Sequence, residues 1–183
     1  MTQRLLTALA VAGALLLADR ATSAAPELSA RADRKITGQY YLPHSASAYQ
    51  RAAMEHARVL NYYGQNYPTV PKEVTREHLA EIRRNVAASQ KELAKLKPEA
   101  AKDKTLQQRL VALEKHLAQC QEVCGMLADE SAEADASDSA AVCDCCEKIE
   151  RELAAAEAEN EKIKKHLGVE RVVAPKKEIK PKK

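Results

Sequence analysis

Apolar residues return every three or four positions through most of this chain, the spacing of helices that each bury one face. The cleanest run is Leu106, Leu110, Leu113, Leu117, Cys120, Cys124 and Leu127, which alternates steps of four and three as the seam of a packed helix does. A second run, Val142, Cys146, Ile149, Leu153, Ala156, Asn160, Ile163 and Leu167, keeps the same rhythm, and Gly168 supplies a C-terminal cap. Upstream, Tyr49, Ala52, Ala53, His56, Leu60 and Tyr63 predict a helix that opens near Ser45, with Ser45 or Ser47 as N-cap, and closes between Gly64 and Pro68. The loop YPTVP leads into another helix after Pro71. Its stripe is Val74, His78, Ile82, Val86 and Leu93, with Leu79 and Leu96 flanking and Lys97–Pro98 as its close. Gly125 predicts a kink or an end in the Leu106 helix, and the polar run from Asp129 to Ser139 reads as a connection.

Four amphipathic helices on short connections predict an all-α fold, an up-down-up-down antiparallel four-helix bundle over residues 45–168. A pair of long helical hairpins that forms a homodimer is the alternative. In either arrangement Asn160, a polar residue at a seam position, fixes the register. Residues 25–44, with Pro26, Gly38 and Pro43, read as an extended arm. Residues 169–183 read as a basic, disordered tail.

The start of the chain changes the setting of this fold. Arg4 precedes an apolar run from Leu5 to Ala18, shorter than the roughly 20 residues that span a bilayer, and small residues follow at Thr22 and Ala24. Residues 1–24 therefore read as a signal peptide cut after Ala24, which places the protein in the periplasm or outside the cell. An uncleaved anchor is the alternative.

Composition narrows the core. The chain has no Trp and no Phe, and its six Tyr all fall between Tyr40 and Tyr67, which leaves Leu, Ile, Val and Ala to fill slender, closely packed helices. Of 29 basic and 26 acidic residues, Arg4, Arg20 and Asp19 leave with the signal, so the mature chain carries a net charge of +2 and lacks the balance of a nucleic-acid binder. The charge is segregated all the same. Residues 121–161 hold 13 acidic and 2 basic side chains, whereas the tail concentrates Lys176, Lys177, Lys180, Lys182 and Lys183, suited to an anionic envelope surface.

The candidate chemistry is a cluster of soft ligands. In HLAQCQEVC, His116, Cys120 and Cys124 stand four apart and form a ladder on one helical stripe. CDCC, one connection later, puts Cys143 and Cys146 three apart on the next helix, with Cys145 pointing sideways from the seam. Up-down topology gathers all five cysteines with His56, His78 and His116 toward one half of the bundle, and sends His44 and His166 to the opposite end. Thiolates and imidazoles on facing helices suit Cu(I) or Zn(II). Met54 and Met126 read as gap-fillers that could also serve as soft ligands. An exported chain offers a competing use of the same residues, in which Cys120 or Cys124 bridges to Cys143 or Cys146 and staples the two helices as an interaction module without metal.

With HLAQCQEVC and CDCC in view, the chain resembles the Cys-rich four-helix-bundle copper-binding and copper-storage proteins. That resemblance implies Cu(I) held by CxxxC-type pairs, here Cys120, Cys124, Cys143 and Cys146, with His116 as a capping ligand. Five cysteines in all imply one or a few ions rather than a store.

Catalytic patterns are missing. Ala53, Thr75, Leu113 and Ile163 stand three residues before the helical histidines, where di-iron bundles place Glu. HExxH is absent, Glu147 rather than His follows Cys146, and the C-x-x-C within CDCC lacks the strands of a thioredoxin fold. The reading is a non-enzymatic protein.

Overall fold

The computed structural model describes residues 41–132 and 135–169. Residues 1–24, expected to be a signal peptide, residues 25–40 of the expected arm and the tail lysines lie outside them. Within that span the chain is mostly helical, with helix α1 over Leu42–Asn66, α2 over Lys72–Ala94, a short α3 over Lys97–Ala100, α4 over Lys104–Glu130 and α5 over Ser139–Leu167. Strands β1 (Thr69–Pro71) and β2 (Ala136–Asp138) make one small antiparallel ribbon, in which Val70 pairs with Ser137. Among the described residues no helix is long and apolar enough to cross a membrane.

The helix boundaries follow from local chemistry. α1 opens three residues before Ser45, because Pro43 sits in its first turn, where a missing N–H costs nothing. The arm therefore gives up residues 42–44, and neither Ser45 nor Ser47 is the cap. Asp103 caps α4, accepting from the backbone N–H groups of Thr105 and Leu106, and Asp138 caps α5 by accepting from Ala141. α4 runs through Gly125 to Glu130 without ending there. α5 stops at Gly168, whose φ of 67° is the left-handed conformation that glycine adopts without a Cβ penalty.

Every residue of the Leu106–Leu127 stripe is buried, as are Val142, Cys146, Ile149, Leu153, Ala156, Asn160 and Ile163 of the α5 stripe. On α2 the inward line is Thr75, Leu79, Ile82, Val86, Ser89 and Leu93, so Leu79 is central and Val74 and His78 are its flank. On α1 the buried face is Ala46, Gln50, Ala53, Met54, Ala57 and Leu60, while Tyr49 is exposed and Tyr63 only partly covered. Met54 fills a core gap. Met126, 51% exposed, does not.

Contacts run around the four long helices, α1 with α2, α2 with α4, α4 with α5 and α5 with α1, and the α2–α4 seam is the thinnest. Hydrogen bonds show that the neighbours run in opposite directions. Gln50 pairs with Ser89 and His56 with His78 between α1 and α2, while Asn160 reaches Pro43 and Asn61 reaches Glu150 between α1 and α5. The ribbon joins the α1–α2 and α4–α5 connections, and buried hydroxyls of Thr75, Ser131 and Ser137 link beneath it. At the far end a second polar layer lies inside. Asn160 Nδ2 donates to the Pro43 carbonyl at 2.8 Å and to Ser47 Oγ at 3.0 Å, and Lys164 Nζ donates to the same Ser47 at 2.6 Å.

Gly64 marks the closest approach of α1 to α5. A Cβ there would stand 2.7 Å from Cys143 Sγ and 3.1 Å from the Ser139 carbonyl oxygen. Gly64→Ala gains roughly 1 kcal/mol of helix propensity, and overpacking costs about 1–3 kcal/mol. We expect a net loss of stability in urea unfolding. Adding Cys143→Ala should recover part of it, because the sulfur is the nearer obstacle, and strict additivity of the two changes would exclude that cause.

Candidate metal site

Cys120 and Cys124 face α5 one helical turn apart, and both are fully buried. Their closeness pushes the two thiols in opposite directions. Interaction with the Cys120 thiol draws Cys124 below the ordinary range, and the Arg83 guanidinium adds to this against the opposing effect of burial. Interaction with the Cys124 thiol, followed by burial, pushes Cys120 up. Arg83 is fixed there by a hydrogen bond from Nη2 to the Cys124 carbonyl oxygen at 3.1 Å. Cys124 is thus the member of the pair that ionises first.

α5 brings two more thiols to the same seam. Cys146 is fully buried and Cys145 is 6% exposed, and both lie close enough to Cys124 for its charge to raise them. Burial is the larger cause for each, followed by Glu130 at Cys145 and by the neighbouring cysteines at Cys146. Cys145 therefore belongs to the cluster rather than pointing aside, because the flank of the α5 stripe is covered by α4. Cys143 is the outlying thiol. It faces α1, donating to the Asn61 carbonyl at 3.9 Å, and burial with Glu147 and Asp144 pushes it up. All five cysteines are free thiols.

The histidines do not join the thiols. His116 Nδ1 is 2.8 Å from Glu152 Oε2, an α4–α5 pair on the edge of the seam. His56 and His78 bond to each other, Nδ1 to Nδ1 at 3.1 Å, with Tyr63 against the His78 ring. His44 bonds to the Val169 carbonyl and His166 to Asp103, at the opposite end. Among the described residues, no group of three or more His, Cys, Asp or Glu side chains stands arranged to hold a metal ion. The donor set that the structure does assemble is the Cys120–Cys124 pair. Two thiolates are enough for Cu(I), a soft ion that accepts low coordination, and too few for tetrahedral Zn(II).

The imidazole pair carries its own pH dependence. The bond needs a proton on one Nδ1 and a lone pair on the other, so a second protonation breaks it. Burial, and after it the charge of His56, holds His78 below the ordinary imidazole value, against smaller opposing pulls from Glu77 and Glu81. A lowered folded value means that the unfolded chain binds more protons. The contribution is fully present above about pH 6.5 and is lost as pH falls through the lowered value. We expect the thermal midpoint to decline between about pH 6.5 and 5, and His78→Asn to flatten that slope. An identical slope in the variant would exclude the pair as its source.

Sequence reasoning missed Arg83 and Cys145. The signal for Arg83 was its place beside Ile82, on the flank of α2 that turns toward α4. No protein-family model matches the chain, and no curated protein or solved structure matches it.

Proposed function

We propose that this chain is an exported, non-enzymatic, up-down-up-down antiparallel four-helix bundle that binds one Cu(I) ion at the α4–α5 seam. Cys120 and Cys124 are the two ligands, and Cys146 and Cys145 are the neighbouring thiols of the seam. The observation that carries this reading is the full burial of Cys120 and Cys124 one helical turn apart on α4, close enough that each thiol sets the ionisation of the other, so that a soft cation can stand between two sulfurs shielded from solvent. The guanidinium of Arg83 offsets part of the negative charge of a bis-thiolate site. Zn(II) is the weaker candidate, since it would draw Cys145 and Cys146 together into a four-sulfur site. Export after Ala24, and contact of Lys176, Lys177, Lys180, Lys182 and Lys183 with anionic envelope polymers, belong to the same reading.

A second reading rests on the same seam. Cys124 on α4 and Cys146 on α5 are neighbouring thiols on facing helices, and an oxidising compartment would join them into a staple for an interaction module. Native mass spectrometry of the mature protein, purified without chelator, separates the two. Intact thiols carrying one copper ion support the site. A mass lower by two hydrogens per bridge, with no metal adduct and no uptake of Cu(I) after reduction, would reject it in favour of the staple.

A further inference from the structure

The thin α2–α4 seam leaves a trough of about 370 Å³ lined by Lys72, Arg76, Leu79, Ala80 and Arg83 on α2 and by Ala128, Ser131 and Ala132 beside α4. Its floor is apolar because this stretch of α2 and α4 presents alanines and the buried Leu79 where larger side chains would close the gap. Its rim is cationic. Lys72 donates to the Ala132 carbonyl at one end, and Arg83 donates to the Cys124 carbonyl at the other. Along α2 these two cations are about 16 Å apart at 1.5 Å per residue, with Arg76 between them.

Among the described residues, none of the three cations forms an ion pair with a carboxylate and no acidic side chain lines the trough. Other cavities differ in this respect. Lys97 and Glu114 neutralise each other in the one beside α3, and Arg109 pairs with Glu159 in another. A trough with an apolar floor, cations along its rim and a volume in the range of small-molecule pockets selects a ligand with the complementary build.

We propose that the α2–α4 trough is a binding site for a small amphiphilic anion, a medium-chain carboxylate whose tail lies on Leu79, Ala80 and Ala128 and whose head group meets Arg76 and Arg83. Planar guanidinium groups suit a carboxylate because they donate two parallel hydrogen bonds to it. The tail replaces water on apolar surface that the helices leave uncovered. The trough shares Arg83 with the thiol pair, but no cysteine lines it, and its binding of the amphiphile does not require copper.

Decanoate, below its micellar concentration, is the probe, titrated into the full mature protein by calorimetry and by NMR. We expect one molecule to bind per chain, with Arg76→Gln and Arg83→Gln each weakening it about tenfold, the worth of one charge-assisted hydrogen bond. Both arginines are exposed, so neither change threatens the fold. Ala80→Leu, at an exposed position in the trough, should abolish binding while leaving every cation in place. Decanol binding as well as decanoate would overturn the anion, and inorganic phosphate binding as well would overturn the amphiphile. No saturable binding of decanoate, or binding indifferent to all three variants, would overturn the site itself.

Discussion

Cys120→Ser and Cys124→Ser should each weaken Cu(I) binding by about a hundredfold or more, while Cys143→Ser leaves it unchanged. A hydroxyl is a hard donor and a poor substitute for thiolate at a soft ion, and losing a direct ligand exceeds the 10–100-fold effects typical of groups that only orient one. Cys143 serves as the internal control because it faces α1 across from Asn61, away from the pair. The pH dependence has a definite sign. Cu(I) must displace the proton that Cys120 holds, and that thiol is pushed up by the adjoining Cys124 thiol and by burial. Affinity should therefore fall as pH falls, by about tenfold per pH unit for each proton displaced. Competition against a chromophoric Cu(I) chelator under reducing conditions reads both effects. If Cys143→Ser weakens binding as much as Cys124→Ser does, the ligands are not those assigned. Circular dichroism should show the fold retained in all three variants.

Leu117→Ala should destabilise the fold by about 3 kcal/mol, within the 2–5 kcal/mol that a buried Leu→Ala change costs. Leu117 is fully buried on α4, one turn before the Cys120–Cys124 pair, and the core around it contains no Phe or Trp to relax into a cavity. Against a total of about 5–15 kcal/mol, this is a large fraction. Val111, on the same helix but 61% exposed, provides the contrast, and Val111→Ala should change stability by less than about 0.5 kcal/mol. Urea unfolding should shift the midpoint of Leu117→Ala with an unchanged slope. A shift no larger than that of Val111→Ala would mean that α4 is not packed as described.

The two changes also test each other. Loss of Leu117 packing should loosen the seam that holds the thiols together, so Leu117→Ala should weaken Cu(I) binding less than a ligand change does, and only in proportion to local loosening. A ligand change should do the reverse, with a large effect on metal and a small one on stability.

Legibility differed from helix to helix. The α4 stripe could be read residue by residue, because steps of four and three with Leu at most positions admit one buried face and α4 uses that face alone. α1 was harder. It packs against both α2 and α5, so its buried face is broad and includes Ser47 and Gln50, which no hydrophobic period would select. On α2 Ile82, Val86 and Leu93 were legible, but the first two turns were off by one position, since Val74 and Leu79 are both apolar and only contact with the neighbours makes Leu79 the inner one. The ribbon had no signal at all. Three residues of TVP pair with three of ASD only because two separate connections end side by side.

The candidate site shows the same division. That Cys120 and Cys124 lie one above the other follows from a spacing of four within a helix, and local geometry alone determines it. The run of helices and the left-handed cap at Gly168 are local in the same way. Which side of α5 meets α4 is a matter of how two helices turn about their axes when all four pack. That rotation, invisible to any local period, brings Cys145 in with Cys146, turns Cys143 to α1, spends His116 on Glu152 and binds His56 to His78. Periodicity along one chain specifies which residues share a face, whereas the partner of that face is set by packing between segments far apart in sequence.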